Sequence, residues 1–393
     1  MGGLPIRAFG LMSIAGAVLA GSAFVACSES FPQPLGSEPE PETDAGASDA
    51  SDADSDATTD ADAEVDSGVI DCAKDRGADG LATHLSCAGL YSNIATKTVD
   101  ANTREFTPGV MFWSDGAEKQ RWVYLPPSTK IDISNFDEWT FPQGTRFWKE
   151  FELEGKRVET RLYEKTLKGW KHTSYRWNSD ASEAIRNDAG EVIALAGRTP
   201  YQIPTANECN ECHAGREEPV LGFEPVSLGL ATAKGVTLAT LAVEDRFSAA
   251  PPARLFTIPE DKTGIAAPAL AWLHANCGHC HNTSPNAGAV GSTLRTLIRA
   301  SDLLAGNPSA ETLATWTTGV CKPSERDAPA GGKYLYIAGG APSASLASLL
   351  LGARATPGTE SIINQMPPLT SHMVDKAGQK LVDDWISALE PCP

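Results

Sequence analysis

The sequence predicts a multidomain α+β chain, with an antiparallel β-sandwich-like domain followed by a mainly α-helical, loop-rich region. Three observations predict it. Over 72–205, aromatic and β-branched residues cluster in short runs divided by turn residues. From about 206 onward, Ala-rich stretches with helical spacing replace them. Ahead of both, residues 28–71 hold 14 acidic residues and no Lys or Arg, a composition that cannot build a packed core.

From the N-terminus, residues 1–27 read as an export signal. Arg7 is the one positive charge, and the uncharged, Ala- and Gly-rich run 8–26 follows it. A single-pass anchor is the competing reading, since the run is long enough to span a bilayer. Its weak hydrophobicity and acidic flank argue against that. Residues 28–71, with runs such as DASDADSDATTDADAEVD, form a self-repelling tether. A calcium loop would need a Gly-containing turn that the Asp repeat lacks. The whole chain carries 32 Lys and Arg against 50 Asp and Glu, a net charge of −18. Residues 72–393 carry 31 − 36 = −5. A near-neutral body offers no cationic surplus for phosphates, so nucleic acid is excluded as a partner held by bulk charge, as is docking of the whole chain on anionic lipid.

The β domain, 72–205, is read from FTPGVMFW (106–113), RWVYL (121–125), TRFWKEFEL (145–153), KRVETRLYEK (156–165) and WKHTSYRW (170–177). Val158, Thr160 and Leu162 alternate with Arg157, Glu159 and Arg161, the period of a strand with one face in water. Most of the nine Trp lie in this domain and read as core. Helices are expected over 266–276, 343–352 and 372–389. In the last, Leu381, Trp385 and Leu389, with Val382 and Ile386 beside them, form the stripe that faces a core.

Cysteine spacing carries the chemistry. Cys209-Asn210-Glu211-Cys212-His213 and Cys277-Gly278-His279-Cys280-His281 are both C-x-x-C-H, the c-type haem attachment signature. Two thiols three residues apart reach the two vinyl groups on one edge of a porphyrin, and the next His is brought under the iron as axial ligand. A Cys₄ zinc site or a thioredoxin-like pair would use C-x-x-C without requiring His after each. Two covalently bound haem c groups are therefore expected, one on segment 206–262 and one on 263–393. Met366, followed by Pro367 and Pro368, is the candidate second ligand for the haem of His281, with Met373 as rival. For the haem of His213 the candidates are His274, His172, His84 and Met111, or an open position. His279 is expected to face solvent. After the four motif cysteines and Cys27, four of the nine remain, an even number that suggests two disulfides. Proximity favours Cys72–Cys87, leaving Cys321–Cys392.

The chain resembles bacterial exported di-haem c-type cytochromes with an aromatic-rich β domain in front. The resemblance covers about 88–393 and rests on WSDGAEKQRW (113–122), FPQGTRFWKEF (141–151), VETRLYE (158–164), YRWN (175–178), IPTANECNECH (203–213) with LGF (221–223), LHANCGHCHN (273–282), GVCKP (319–323), and QMPPL leading into the DDWI helix. Residues 263–393 are similar to class I cytochrome c, which implies that the helix before C-x-x-C-H crosses the C-terminal helix. Phe24-Val25-Ala26-Cys27 resembles the lipobox of bacterial lipoproteins, which implies acylation at Cys27 and a lipid anchor in the cell envelope, at the outer membrane or facing the periplasm. The resemblance implies electron transfer through two haems between redox protein partners. A di-haem peroxidase-like oxidoreductase with one open iron is the alternative, and a haem-bearing module whose β domain binds a partner or a saccharide is the third. No catalytic residue is assigned, because no nucleophile–base constellation or phosphate loop stands out in the β domain.

Overall fold

The computed structural model describes residues 70–289, 291–329, 331–355, 359–361 and 364–393. The expected export signal, Cys27 and nearly all of the acidic tether lie outside the described residues. Among the described residues no helix is long and apolar enough to cross a membrane.

A seven-stranded antiparallel sheet organises the fold. Its strands are β1 (Arg104–Thr107), β2 (Glu118–Tyr124), β3 (Arg146–Leu153), β4 (Lys156–Thr166), β5 (Gly169–Trp177), β6 (Ala184–Arg186) and β7 (Lys234–Gly235), in the spatial order β7-β1-β2-β3-β4-β5-β6. The expected sandwich is thus corrected to one large sheet with three two-stranded pairs beside it among the described residues, and the large sheet is covered by other structure on both faces. On one face Trp122, Trp148, Leu162, Tyr175 and Trp177 pack against Leu81, Leu85, Leu90 and Tyr91 of the preceding segment. On the other, Val123, Phe147 and Tyr163 join a core shared with Phe223, Leu228, Leu270, Leu273 and Trp385. Two covered faces explain why large apolar residues stand next to each other along β3, as at Phe147 and Trp148.

The alternation in β4 also meets a different environment from the one expected. Glu159 is fully buried, and the side chain of Arg161 is 23% exposed. Glu159 lies under the hairpin of residues 191–203, whose Tyr201 OH donates to it at 2.7 Å, instead of under water.

Three helices position the cysteine motifs and the core around them: α1 (Ala206–His213), α2 (Ala266–Cys277) and α3 (Lys376–Ala388). α2 packs on α3. Ala269, Leu270 and Leu273 share a core with Val382, Trp385 and Ile386, and Trp272 Nε1 donates to Asp375 Oδ2, the N-cap residue of α3, at 2.9 Å. The buried stripe of α3 is Gly378, Val382, Trp385 and Ile386. Leu381, expected in it, is 39% exposed, because the helix starts at Lys376 and Gly378 sits directly against the Trp272 indole. Both expected disulfides form. Cys72–Cys87 and Cys321–Cys392 have Cα–Cα distances of 5.1 and 5.4 Å, ordinary for the bond.

Candidate functional site

The first motif is carried on α1. A reciprocal cap starts that helix: Glu208 N–H donates to Thr205 Oγ1 at 3.2 Å, and Thr205 N–H donates to Glu208 Oε2 at 2.7 Å. Helical spacing then sets Cys209 and Cys212, three residues apart, on one side of the helix. The second motif begins at the last residue of α2. Cys280 and His281 N–H groups donate to Cys277 O at 3.0 and 2.8 Å, so the motif turns on a single carbonyl. All four motif cysteines are unpaired and half-buried.

Each motif ends in a histidine held in the same way. His213 Nδ1 lies 2.6 Å from Pro219 O, and His281 Nδ1 lies 3.3 Å from Leu294 O. A carbonyl only accepts, so Nδ1 carries the proton in both rings and Nε2 keeps its lone pair. Burial also keeps both rings neutral. It pushes His213 well below the ordinary imidazole range, helped by the Lys149 charge, and it lowers His281 to about 4. Two imidazoles with proton-bearing Nδ1 anchored and basic Nε2 available suit metal ligation.

The two motifs abut. Gly215 leaves no room for a Cβ against the His279 carbonyl, and Gly288 lies against both Glu211 O and Cys280 Sγ. Ligand atoms of Cys212, His279 and Cys280 all lie within 4.8 Å of one another. Cys280 donates its S–H to Glu211 O at 3.6 Å, and the closeness of the two sulfurs lowers the Cys212 thiol and raises that of Cys280. Burial raises Cys277 to about 12. His279 therefore faces the other motif, not solvent as expected. Its Nδ1 is buried without a hydrogen-bond partner, and its ring centroid is 6.4 Å from that of Phe112.

Compared with protein-family models, curated proteins and solved structures, the chain finds no match.

The histidine and methionine candidates separate clearly. His274 has both nitrogens engaged: Nε2 lies 3.4 Å from Glu224 Oε1, and Ile298 N–H donates to Nδ1 at 3.0 Å. It is a structural residue. His84 pairs with Asp75 at 2.8 Å in the segment that covers the opposite face of the sheet. His172 stays near His213. Tyr163 lies between the two rings, stacked on His213 at 4.5 Å and on His172 at 5.0 Å. His172 Nε2 is within 3.0 Å of Ala206 O. Both histidines line a cleft of about 460 Å³. Met111 is 43% exposed, with its sulfur 3.6 Å from Arg121 Nη1.

Met366 is half-buried. Its N–H donates to Leu350 O at 3.0 Å. Leu350 packs on the small cluster of Leu294, Tyr336 and Leu346, and Leu294 is the residue whose carbonyl holds His281. Through Leu350, the Met366 backbone thus adjoins the cluster that includes Leu294. Met373 Sδ accepts from Arg198 Nη2 at 3.5 Å, and its carbonyl shares the Arg354 guanidinium with that of Met366.

Sequence reasoning missed a row of cations on the sheet face nearest the motifs. Arg121, Lys149 and Arg161 are directly opposite one another on β2, β3 and β4, and Lys119 is two residues from Arg121. Lys149 and Arg161 are close enough for their charges to act on Cys209, Cys212 and His213. The available signal was three strands each carrying a cation at a register-matched position. Reading it required the register.

Proposed function

We propose that the chain is a di-haem c-type cytochrome of the cell envelope that passes electrons between redox proteins. One observation carries the reading: two C-x-x-C-H segments each present a histidine whose Nδ1–H is anchored on a backbone carbonyl, leaving Nε2 free to bind iron. Cys209 and Cys212 would hold one haem c and Cys277 and Cys280 the other, with His213 and His281 as axial ligands and Met366 as the second ligand beside His281. The packing of α2 on α3 and the buried Nε of Arg121, without a hydrogen-bond partner, fit an anionic, planar cofactor in this half of the molecule. Bound there, haem supplies reversible one-electron chemistry at iron. The chain's own contributions are to keep both imidazoles neutral and to exclude water by burial. Export and acylation at Cys27 belong to the same proposal, and they would place the folded part at the membrane surface.

A second reading has its own observation. Cys212, His279 and Cys280 form a three-ligand group of the kind that binds zinc. Pyridine haemochrome and metal analysis of the purified, exported protein separate the two. We expect two haems per chain, one lost in Cys209→Ala/Cys212→Ala and the other in Cys277→Ala/Cys280→Ala. Stoichiometric zinc without haem would refute the cytochrome reading. Fast peroxide turnover by the half-reduced protein would replace electron transfer with the peroxidase-like alternative, with an open iron at His213.

A further inference from the structure

We propose that Lys149, with Lys119 beside it and the buried Arg121 charge behind it, binds the propionate carboxylates of the haem attached at Cys209 and Cys212. The inference rests on the di-haem reading and deepens it by assigning the chain's own residues to the anionic edge of that cofactor.

Like charges directly opposite on neighbouring strands destabilise a sheet, and burying an uncompensated cation costs far more. This sheet does both. Arg121 is 1% exposed. It faces Lys149 across one strand pair, and Lys149 faces Arg161 across the next. Only Arg161 has its carboxylate: Glu159 accepts from Arg161 Nε at 2.9 Å and from Nη2 at 2.5 Å. Glu159 is fully committed, since it also accepts from Ser174 Oγ and Tyr201 OH, both at 2.7 Å.

The rest of the row has no anion among the described residues. Lys119 Nζ donates to the Phe112 carbonyl. Arg121 Nη1 reaches only the Met111 thioether, and its Nε has no partner. Lys149 makes no ion pair with any of them. Its ammonium lies 5.7 Å from the Phe112 ring centroid, and the Arg121 guanidinium lies 6.0 Å from the same ring. The two uncompensated heads thus converge on one aromatic residue. Burial lowers Lys149 to about 7 and Arg121 to about 10, the direction expected where cations lack a counter-charge.

A ligand that relieves this must bring at least one carboxylate-like anion to the sheet face beside α1. Haem on Cys209 and Cys212 brings two, on the porphyrin edge away from the thioethers. The half-buried Lys149 ammonium can meet them directly, while the Arg121 guanidinium across the strand pair acts through its charge. A free oxyanion such as sulfate or phosphate has the same chemistry, so the test must distinguish the two sources.

The test uses the full-length holoprotein. Lys149→Met removes a half-buried charge that has no anionic partner among the described residues, so it leaves the fold intact even where Arg121→Met does not. We expect two haems by haemochrome in Lys149→Met and a lower midpoint potential for the haem that disappears in Cys209→Ala/Cys212→Ala. The other haem's potential should be unchanged. Redox-difference infrared spectra with ¹³C-carboxyl haem should show displaced propionate bands in the variant. Unmoved bands together with an unmoved potential would overturn the proposal while leaving the haem count, and so the di-haem reading, standing. Stoichiometric binding of sulfate or phosphate by the wild type, lost in Lys149→Met, would overturn it by assigning the row to a free oxyanion. Absence of the first haem from the wild type would remove the underlying reading as well.

Discussion

Replacing Glu159 by Gln tests the electrostatic design of the sheet face most directly. The carboxylate is fully buried and accepts four hydrogen bonds, two on each oxygen. Oε1 takes Arg161 Nη2 and Tyr201 OH, while Oε2 takes Arg161 Nε and Ser174 Oγ. Gln keeps one oxygen and turns the other into an N–H₂ donor. Whichever way the amide points, one Arg161 N–H then faces another donor. The Tyr or Ser hydroxyl on that side can rotate and accept, but the guanidinium cannot. One charge-assisted bond is lost and its partner on the remaining oxygen is weakened, at about 1.5–3 kcal/mol for each bond to a charged group. Arg161 also loses the counter-charge that separates it from the Lys149 row, and breaking a buried pair costs about 3–5 kcal/mol. We therefore expect Glu159→Gln to lower unfolding stability by about 3–5 kcal/mol in urea titrations of the holoprotein, with an unchanged m-value. Glu150→Gln is the control, since Arg157 Nε, Tyr91 OH and Thr160 Oγ1 reach that carboxylate at 2.7, 2.7 and 3.1 Å and no second cation faces it across the sheet. A loss under about 1 kcal/mol in Glu159→Gln, or a smaller loss than in Glu150→Gln, would refute the reasoning.

Acid should act through Glu224. Burial works to raise this carboxyl, but the hydrogen bonds from His274 Nε2 and the Ser227 N–H, with the charge of Arg216, hold it at about 2 against an ordinary 4.5. A depressed carboxyl contributes stability above its unfolded value, so on the order of 3 kcal/mol should be lost as pH falls from about 4.5 to 2. The acid limb of the stability profile should flatten in Glu224→Gln, and an unchanged limb would count against the assignment. Disulfide removal should rank by loop length. Chain entropy gives about 4.4 kcal/mol for Cys321–Cys392 and about 3 kcal/mol for Cys72–Cys87, from separations of 71 and 15 residues. Urea midpoints of the two double Ser variants check the order, and a reversed order would show that chain entropy does not govern.

What the sequence made legible is what local spacing fixes. The aromatic runs locate strands β2 to β5, and C-x-x-C-H marks the two cysteine segments that the fold brings together. The disulfides followed from counting what was left. Less legible was anything set by what covers a surface. The alternation at Arg157–Leu162 has the period of a half-wet strand whether water or another segment lies on the charged side, and here Glu159 is buried. The same limit hid the cation row, since Arg121, Lys149 and Arg161 become neighbours only through the register. It also misplaced His279, whose surroundings are set by Gly215 from the other motif. The stripe of α3 was wrong at Leu381 for a related reason, because the angular origin of a helix depends on its first contact, here Gly378 on Trp272.

The contact between the motifs has a consequence for assembly. Two unmodified thiols, Cys212 and Cys280, come together when the chain folds, and the neighbouring Cys280 lowers the Cys212 thiol. Under oxidising conditions such neighbours convert to a disulfide, which would staple α1 to the turn after α2 and withdraw a cysteine from each site at once. Folding therefore sets a deadline. If haem occupies these cysteines as proposed, it would have to arrive while the two segments are still apart, since a chain oxidised first would need a reductant to return to the pathway.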